Sequence, residues 1–171
     1  MKIAILSDTH KKSSLMIEAI EMLKKDGATF LLHAGDLENR ENLDILDKCG
    51  LKYISVFGNN DYNIIQYQNE YNIFKEPYYF KLANLKFKLM HLPFYMSGDT
   101  DIIIFGHTHY FESEYKNGTL FLNPGEICAR NKNLTECVLL EITDKKYIIK
   151  QYFKSPANTK WDYNIIEYER G

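Results

Sequence analysis

The sequence predicts an α/β fold of two stacked sheets with helices on the outside, and three observations predict it. Over residues 1–61, short apolar runs alternate with amphipathic stretches of helical period. From residue 78 onward, strand-like runs follow one another with little helix between them. Between two of those runs stands Asn117-Gly118, a strong signal for a two-residue hairpin turn. Strand–helix alternation implies parallel strands joined by right-handed crossovers.

Residues 2–6 read as the first strand, ended by Ser7-Asp8-Thr9-His10. Leu15, Met16, Ala19, Ile20 and Leu23 then recur at helical spacing, with Ser13 or Ser14 as the cap and Asp26-Gly27 as the stop. Residues 29–33 form a second strand, ended by Gly35-Asp36. Asn39 caps a helix carrying Leu43 and Leu46, which Gly50 closes. Residues 51–57 make a third strand, ended by Gly58-Asn59-Asn60-Asp61. Further strands are predicted over 78–82, 85–90, 101–105, 110–116, 119–122, 137–142 and 146–153. All four prolines (77, 93, 124, 156) fall between runs, where they remove no ladder hydrogen bond. The tail after residue 155, with Trp161 and two tyrosines, has no readable period and is expected to cover a sheet edge or an oligomer surface.

At 171 residues and 20.1 kDa the chain is expected to be one domain, 1–171. It is 45% hydrophobic and 26% charged, which fits a globular protein and excludes a disordered or fibrous one. Twenty-one basic against twenty-three acidic residues leave −2, so bulk charge does not make it a nucleic-acid binder. Three cysteines without a close pair fit a reducing compartment. The one N-terminal apolar run is too short for a signal or membrane segment, so the expected location is cytoplasmic, with no membrane partner.

The polar residues are placed by a pattern. Each of the first three strands ends on metal-ligand types: Asp8 and His10, then Asp36, then Asn59. In open parallel sheets the carboxyl ends of the strands share one rim, where ligands bind. His91 follows the run 85–90, and Gly106-His107-Thr108-His109 follows the run 101–105. Four of the five histidines therefore sit at strand ends; the fifth, His33, is read as a packing residue or a support behind the others. His107 and His109, two apart in extended chain, should point the same way. Taken singly these elements are ordinary: Gly-Asp is turn punctuation, Asn59-Asn60-Asp61 an Asx turn, and His91 a packed core histidine. Together, seven imidazole, carboxylate and amide side chains suit divalent Mn, Fe or Zn, and they exceed what one tetrahedral ion needs. Two ions sharing Asp36 would use them all. Gly35, Gly58 and Gly106 are expected to let the backbone turn sharply beneath the ions.

In order and spacing these residues resemble the calcineurin-like metallophosphoesterase superfamily, and in particular its small YfcE-type phosphodiesterases, which share the loop Asn123-Pro124-Gly125. The resemblance spans Asp8 to about Arg130. It implies a four-layer αββα sandwich of two mixed sheets flanked by helices. It also implies a dinuclear centre in which Asp8, His10, Asp36 and His109 hold one ion, and Asp36, Asn59, His91 and His107 the other. Manganese is the first expectation, with zinc, iron or nickel as alternatives. Three departures stand out: Asn60 replaces a histidine that helps protonate the leaving group, Leu92-Pro93 follows His91 where glycine is usual, and Glu126 replaces serine after Asn-Pro-Gly. A carboxylate at 126 must point away from a phosphate, or the pocket differs.

The expected activity is hydrolysis of a small phosphodiester by a hydroxide bridging the ions, with Asp36, Asn59 and His91 as the catalytic set. Without a histidine at 60, diesters with good leaving groups should be favoured over monoesters. Lys11, Lys12 and Arg130 lie near these motifs and could contact phosphate, or belong to a solvated face. One rival is a non-catalytic protein-binding scaffold, like the retromer subunit Vps29; the complete set of seven ligand types argues against it. A nuclease is the other, disfavoured by the charge balance. A homo-oligomer is compatible with the sequence.

Overall fold

The computed structural model describes residues 1–170. β1 (Lys2–Leu6), β2 (Phe30–His33) and β3 (Lys52–Val56) pair in parallel, as their near-continuous apolar character requires of strands buried on both faces. α1 (Ser13–Lys25) and α2 (Arg40–Lys48) are the crossovers between them. Asn39 caps α2, its side chain accepting from the Asn42 N–H at 2.8 Å. At α1 the expected serine cap is corrected. Lys12 holds the cap position, because a turn closed by Lys12 N–H to the Thr9 carbonyl (3.1 Å) starts the helix one residue early and places Ser13 inside it.

The second half supplies β5 (Tyr78–Leu82), β6 (Leu85–Leu89), β7 (Ile102–Ile104), β8 (Phe111–Lys116), β9 (Thr119–Pro124), β10 (Thr135–Ile142) and β11 (Lys146–Lys154). Two further strands were unforeseen. β4 (Ile73–Phe74) is only two residues long, and β12 (Asp162–Glu169) is largely exposed. β12 pairs antiparallel with β11 from Asp162 to Glu169, so the tail covers a sheet edge. Pro124, expected to fall between runs, is instead the last residue of β9, opposite Phe111.

The strands form a seven-stranded sheet, β12-β11-β10-β1-β2-β3-β4, and a five-stranded sheet, β5-β6-β7-β9-β8; both are mixed. Ile3, Ile5, Leu32 and Val56 meet Phe87, Leu89, Ile102, Ile104 and Leu122 between the sheets. The opposite face of the larger sheet packs Leu6 and Leu31 against Met16, Ile20, Leu23 and Leu43 of the helices. Over the smaller sheet, the expected outer layer is an irregular segment, 92–100, rather than a helix. Pro93 and Gly98 in so short a stretch leave no room for one. Met96 packs there on Met90, Ile103 and Phe105. The fully buried Lys88 reaches into the segment, donating to the Tyr95 and Ser97 carbonyls (both 2.9 Å) and pairing with Asp99 at 2.5 Å. No helix among the described residues is long and apolar enough to cross a membrane.

Candidate metal centre

The structure brings Asp8, His10, Asp36, Asn59, His91, His107 and His109 to one rim where the two sheets meet. Asp8, His10, Asp36, His107 and His109 all take positive φ, between 48° and 69°. That backbone region disfavours side chains and costs of order 1–3 kcal/mol per residue, so it persists only where the surroundings enforce it. The strain lies in the loops directly after β1, β2 and β7, and it turns each side chain off its strand into the cleft.

Asp8 is fully buried. Its Oδ2 accepts from the Ser7 hydroxyl (2.7 Å) and the His107 N–H (3.1 Å), while Oδ1 has no hydrogen-bond partner and faces His109 Nε2 at 3.2 Å. His10 is arranged likewise. Its Nδ1 meets Glu38 Oε1 at 2.5 Å, which puts the proton there and leaves Nε2 bare, 3.8 Å from Asp36 Oδ2. His109 repeats the device with Glu126, Nδ1 to Oε2 at 2.5 Å, and its ring stacks on that of His10 with centroids 5.3 Å apart.

The other half of the cleft is more open. His91 is fully buried, its Nδ1 bonded to the Ala34 carbonyl (2.7 Å) and its Nε2 directed at Asn59 Oδ1 (3.0 Å) and Asp36 Oδ2 (3.4 Å). Asn59 Oδ1 also meets His107 Nδ1 at 3.0 Å. Asp36 thus lies between the two groups. Burial works to raise its carboxyl, but His91 and the Asn60 donors hold it well below the usual carboxylate range. Burial opposes charging His91, yet the hydrogen bond to Asp36 and the charge of Asp8 push it up to about 9.

Several expectations need correction. His107 and His109 do not point the same way: with φ of 69° and 65° the chain is not extended, and the two rings go to Asn59 and to Asp8. Gly58 and Gly106 do not take positive φ; they are needed for close approach. A Cβ on Gly58 would lie 2.2 Å from Asp36 Oδ1, and one on Gly106 2.0 Å from Ser7 Oγ. Asp61 does not close an Asx turn. Its carboxylate accepts the N–H groups of Asp36 (2.9 Å), Glu38 (2.6 Å) and Gly58 (2.7 Å), tying the loops after β2 and β3 together, and burial pushes it up to about 6. Asn60 turns inward, donating to both oxygens of Asp36 (2.9 and 2.7 Å). His33 bonds Thr9 Oγ1 at 2.8 Å behind the cleft, and burial drives it down to about 3, so it stays neutral.

The three departures now have structural outcomes. Glu126 points away from the cleft, to the back of His109, and is held there by the N–H groups of Asn131 (2.7 Å) and Lys132 (3.1 Å). Burial would raise it, but these donors and His109 keep it below the ordinary range. The Leu92-Pro93 turn is braced by Glu76, whose Oε2 accepts from His91 N–H and from Leu92 N–H (2.8 Å). Sequence reasoning missed Glu38, Asp61, Glu76 and Cys128. Cys128 donates to Glu126 Oε2 at 3.2 Å, and burial together with that carboxylate pushes its thiol up to about 12.

The residues fit divalent ions. Asp8 Oδ1 and His10 Nε2 are buried polar atoms without partners, and such atoms are rare unless something completes them. Asp8, Asp36 and His91 offer ligand atoms all within 4.8 Å of one another, and so do His10, His109 and Cys128.

The chain is similar to known proteins over most of its length. Over 160 residues the chain is 29% identical to phosphodiesterase MJ0936 of Methanocaldococcus jannaschii, covering 86% of this chain and 96% of that one. Its fold is that of vacuolar protein sorting 29 from Cryptosporidium parvum (TM-score 0.79, 22% identity, 99% and 98% of the two chains). It is likewise the fold of the phosphoesterase YfcE from E. coli (TM-score 0.69, 20% identity, 88% and 91%). The sequence profile of the calcineurin-like phosphoesterase superfamily domain matches residues 1–145, and the chain belongs to that superfamily.

Proposed function

We propose that the protein is a metal-dependent hydrolase of small phosphodiesters with a dinuclear centre. One ion would be held by Asp8, His10, Asp36 and His109, the other by Asp36, Asn59, His91 and His107. The observation that carries this reading is the pair of bare, buried ligand atoms, Asp8 Oδ1 and His10 Nε2, facing His109 and Asp36 across the cleft. Divalent ions supply Lewis-acid neutralisation of phosphoryl charge and a more acidic water. The donor set of nitrogen and oxygen suits manganese first, with zinc, iron or nickel as alternatives. We also read residues 1–171 as one domain. The free, buried thiols of Cys49, Cys128 and Cys137 support a reducing, cytoplasmic setting.

The chain's own groups define what chemistry is open to it. Glu38 and Glu126 keep the protons of His10 and His109 on Nδ1, so each Nε2 presents a lone pair to the cleft. Asn60, bonded to Asp36, carries no titratable proton to give to a leaving group. A leaving group must therefore depart without protonation at that position, which favours diesters of acidic alcohols over monoesters.

Hydrolysis of bis(p-nitrophenyl) phosphate with manganese, before and after chelation, tests the reading together with metal analysis. Activity should vanish on chelation and return with the ion. Asp36→Ala should lose turnover by at least about 1,000-fold and bind less metal, as expected when a shared ligand is removed. Undiminished turnover in that variant would remove Asp36 from its proposed place.

A further inference from the structure

The chain's surplus of acid is reversed in one place beside the cleft. A cavity of about 470 Å³ is lined by His10, Lys11, Lys12, Glu38, Cys128 and Arg130, among others. It thus brings three cations from two loops, one after β1 and one after β9, to a single concavity. The acidic residue there is already engaged: Glu38 meets His10 at 2.5 Å and Lys11 only at 3.9 Å. Lys12 and Arg130 form no ion pair with a carboxylate among the described residues. Arg130 reaches toward the cleft, its Nη2 3.2 Å from His109 Nε2, and so joins the cavity to the candidate centre. Around it the cleft is strongly acidic, with Asp8, Asp36, Asp61 and Glu126 all buried. Cations of which two have no carboxylate partner and the third only a distant one, set against such a background, are what an anionic ligand requires.

The cavity's position says which anion. Glu38 bonds the Nδ1 side of His10, the side away from Asp36, and Glu38 lines the cavity. A group held there by Lys11 and Lys12, on the Glu38 side of His10, would be a second one beside the phosphoryl group under attack. Resting on the hydrolase reading above, we propose that the cavity is a second anion subsite, and that the substrate is a phosphodiester one of whose alcohol components carries a further phosphate. A dianionic phosphate matches three cations better than a carboxylate does, and arginine with lysine recognises it by charge-assisted hydrogen bonds.

Two p-nitrophenyl esters of thymidine 5′-phosphate, one bearing a 3′-phosphate and one without it, make the test. Both release p-nitrophenolate from the same diester. The wild-type protein with manganese should show kcat/KM at least about tenfold higher for the 3′-phosphorylated ester, mostly through KM, the size expected for one charge-assisted contact. In a Lys11→Gln/Lys12→Gln double variant, shown by its melting temperature to be folded, that ratio should collapse toward one. Equal kcat/KM for the two esters in the wild type overturns the subsite and leaves the hydrolase intact, as does a preference that survives in the double variant. Binding of inorganic phosphate to chelated protein, read from 31P line broadening, provides a second arm that needs no turnover. Broadening by the wild type and its loss in the double variant are expected; the same broadening in both overturns the proposal. Should neither ester be hydrolysed, the hydrolase reading fails and this arm alone decides the cavity.

Discussion

Glu126 shows how a single residue can set the chemistry of a ligand it stands behind. Its Oε2 accepts the His109 ring proton and its Oε1 accepts two backbone N–H groups, so every position around it calls for an acceptor. Glutamine would present an amide NH2 to one of those donors. Either the loop at Asn131 loses its anchor, or His109 moves its proton to Nε2 and loses the lone pair it offers the cleft. Glu126→Gln should therefore weaken one of two manganese-binding steps by about 10–100-fold and leave the other unchanged. A calorimetric titration of wild type and variant decides it; two unaltered steps would make Glu126 merely structural. His33 makes a pH prediction of a different kind. It is neutral when folded, with its pKa down to about 3, but ordinary, near 6.5, when unfolded. Between those values the unfolded chain binds the extra proton, so stability contributed by the neutral ring is present above about pH 6.5 and is lost as pH falls. The slope cannot exceed about 1.4 kcal/mol per pH unit for one group. Urea unfolding of chelated wild type and His33→Gln from pH 7 to 5 should give a shallower curve for the variant, and parallel curves would show that His33 is protonated in the fold.

At the scale of elements, the buried lysine on β6 has the clearest consequence. Lys88 is the anchor of the segment 92–100, giving it a donor for two carbonyls and a partner for Asp99. Lys88→Met keeps the stem but leaves both carbonyls without that donor, whereas Asp99, about half exposed, regains water. The expected cost is about 1–3 kcal/mol, with faster chymotryptic cleavage after Phe94 or Tyr95; wild-type cleavage rates would show that the apolar contacts of Met96 alone hold the segment. The same element marks the limit of what the sequence reveals. Apolar period made β1, β2, β3 and both helices legible, because their buried faces must repeat. It could not reveal β12, most of whose residues are exposed and of which only Ile166 and Tyr168 pack on the core, or β4, too short to show a period. At the site, the strand-end residues were legible because position in a parallel sheet dictates their rim. Glu38, Asp61 and Glu76 were not, since what identifies them is a donor brought close by folding: Asp61 binds the N–H of Asp36, 25 positions away, and Glu76 that of His91, 15 away.

Across the whole molecule, the candidate ligands divide between the two sheets. Asp8, His10, Asp36 and Asn59 follow strands of the seven-stranded sheet, and His91, His107 and His109 follow strands of the five-stranded one. At this rim the sheets are joined by polar contacts: His109 to Asp8 (3.2 Å), His91 to Asp36 (3.4 Å) and His91 to the Ala34 carbonyl (2.7 Å). Several buried carboxylates crowd the same place and repel one another. Divalent cations bound between the sheets would relieve that repulsion and clamp the two halves, so metal binding should count as folding energy rather than as a local event. At a free manganese concentration 100 times its dissociation constant, one site adds about 2.7 kcal/mol to unfolding free energy. The urea midpoint of the wild type should therefore rise with manganese and fall with chelator. In Asp36→Ala, which removes the side chain common to both groups, most of that rise should disappear even though the apolar interior is untouched. Equal shifts in the two proteins would mean that manganese binds somewhere other than between the sheets, and an unshifted wild type would mean that the rim holds together without it.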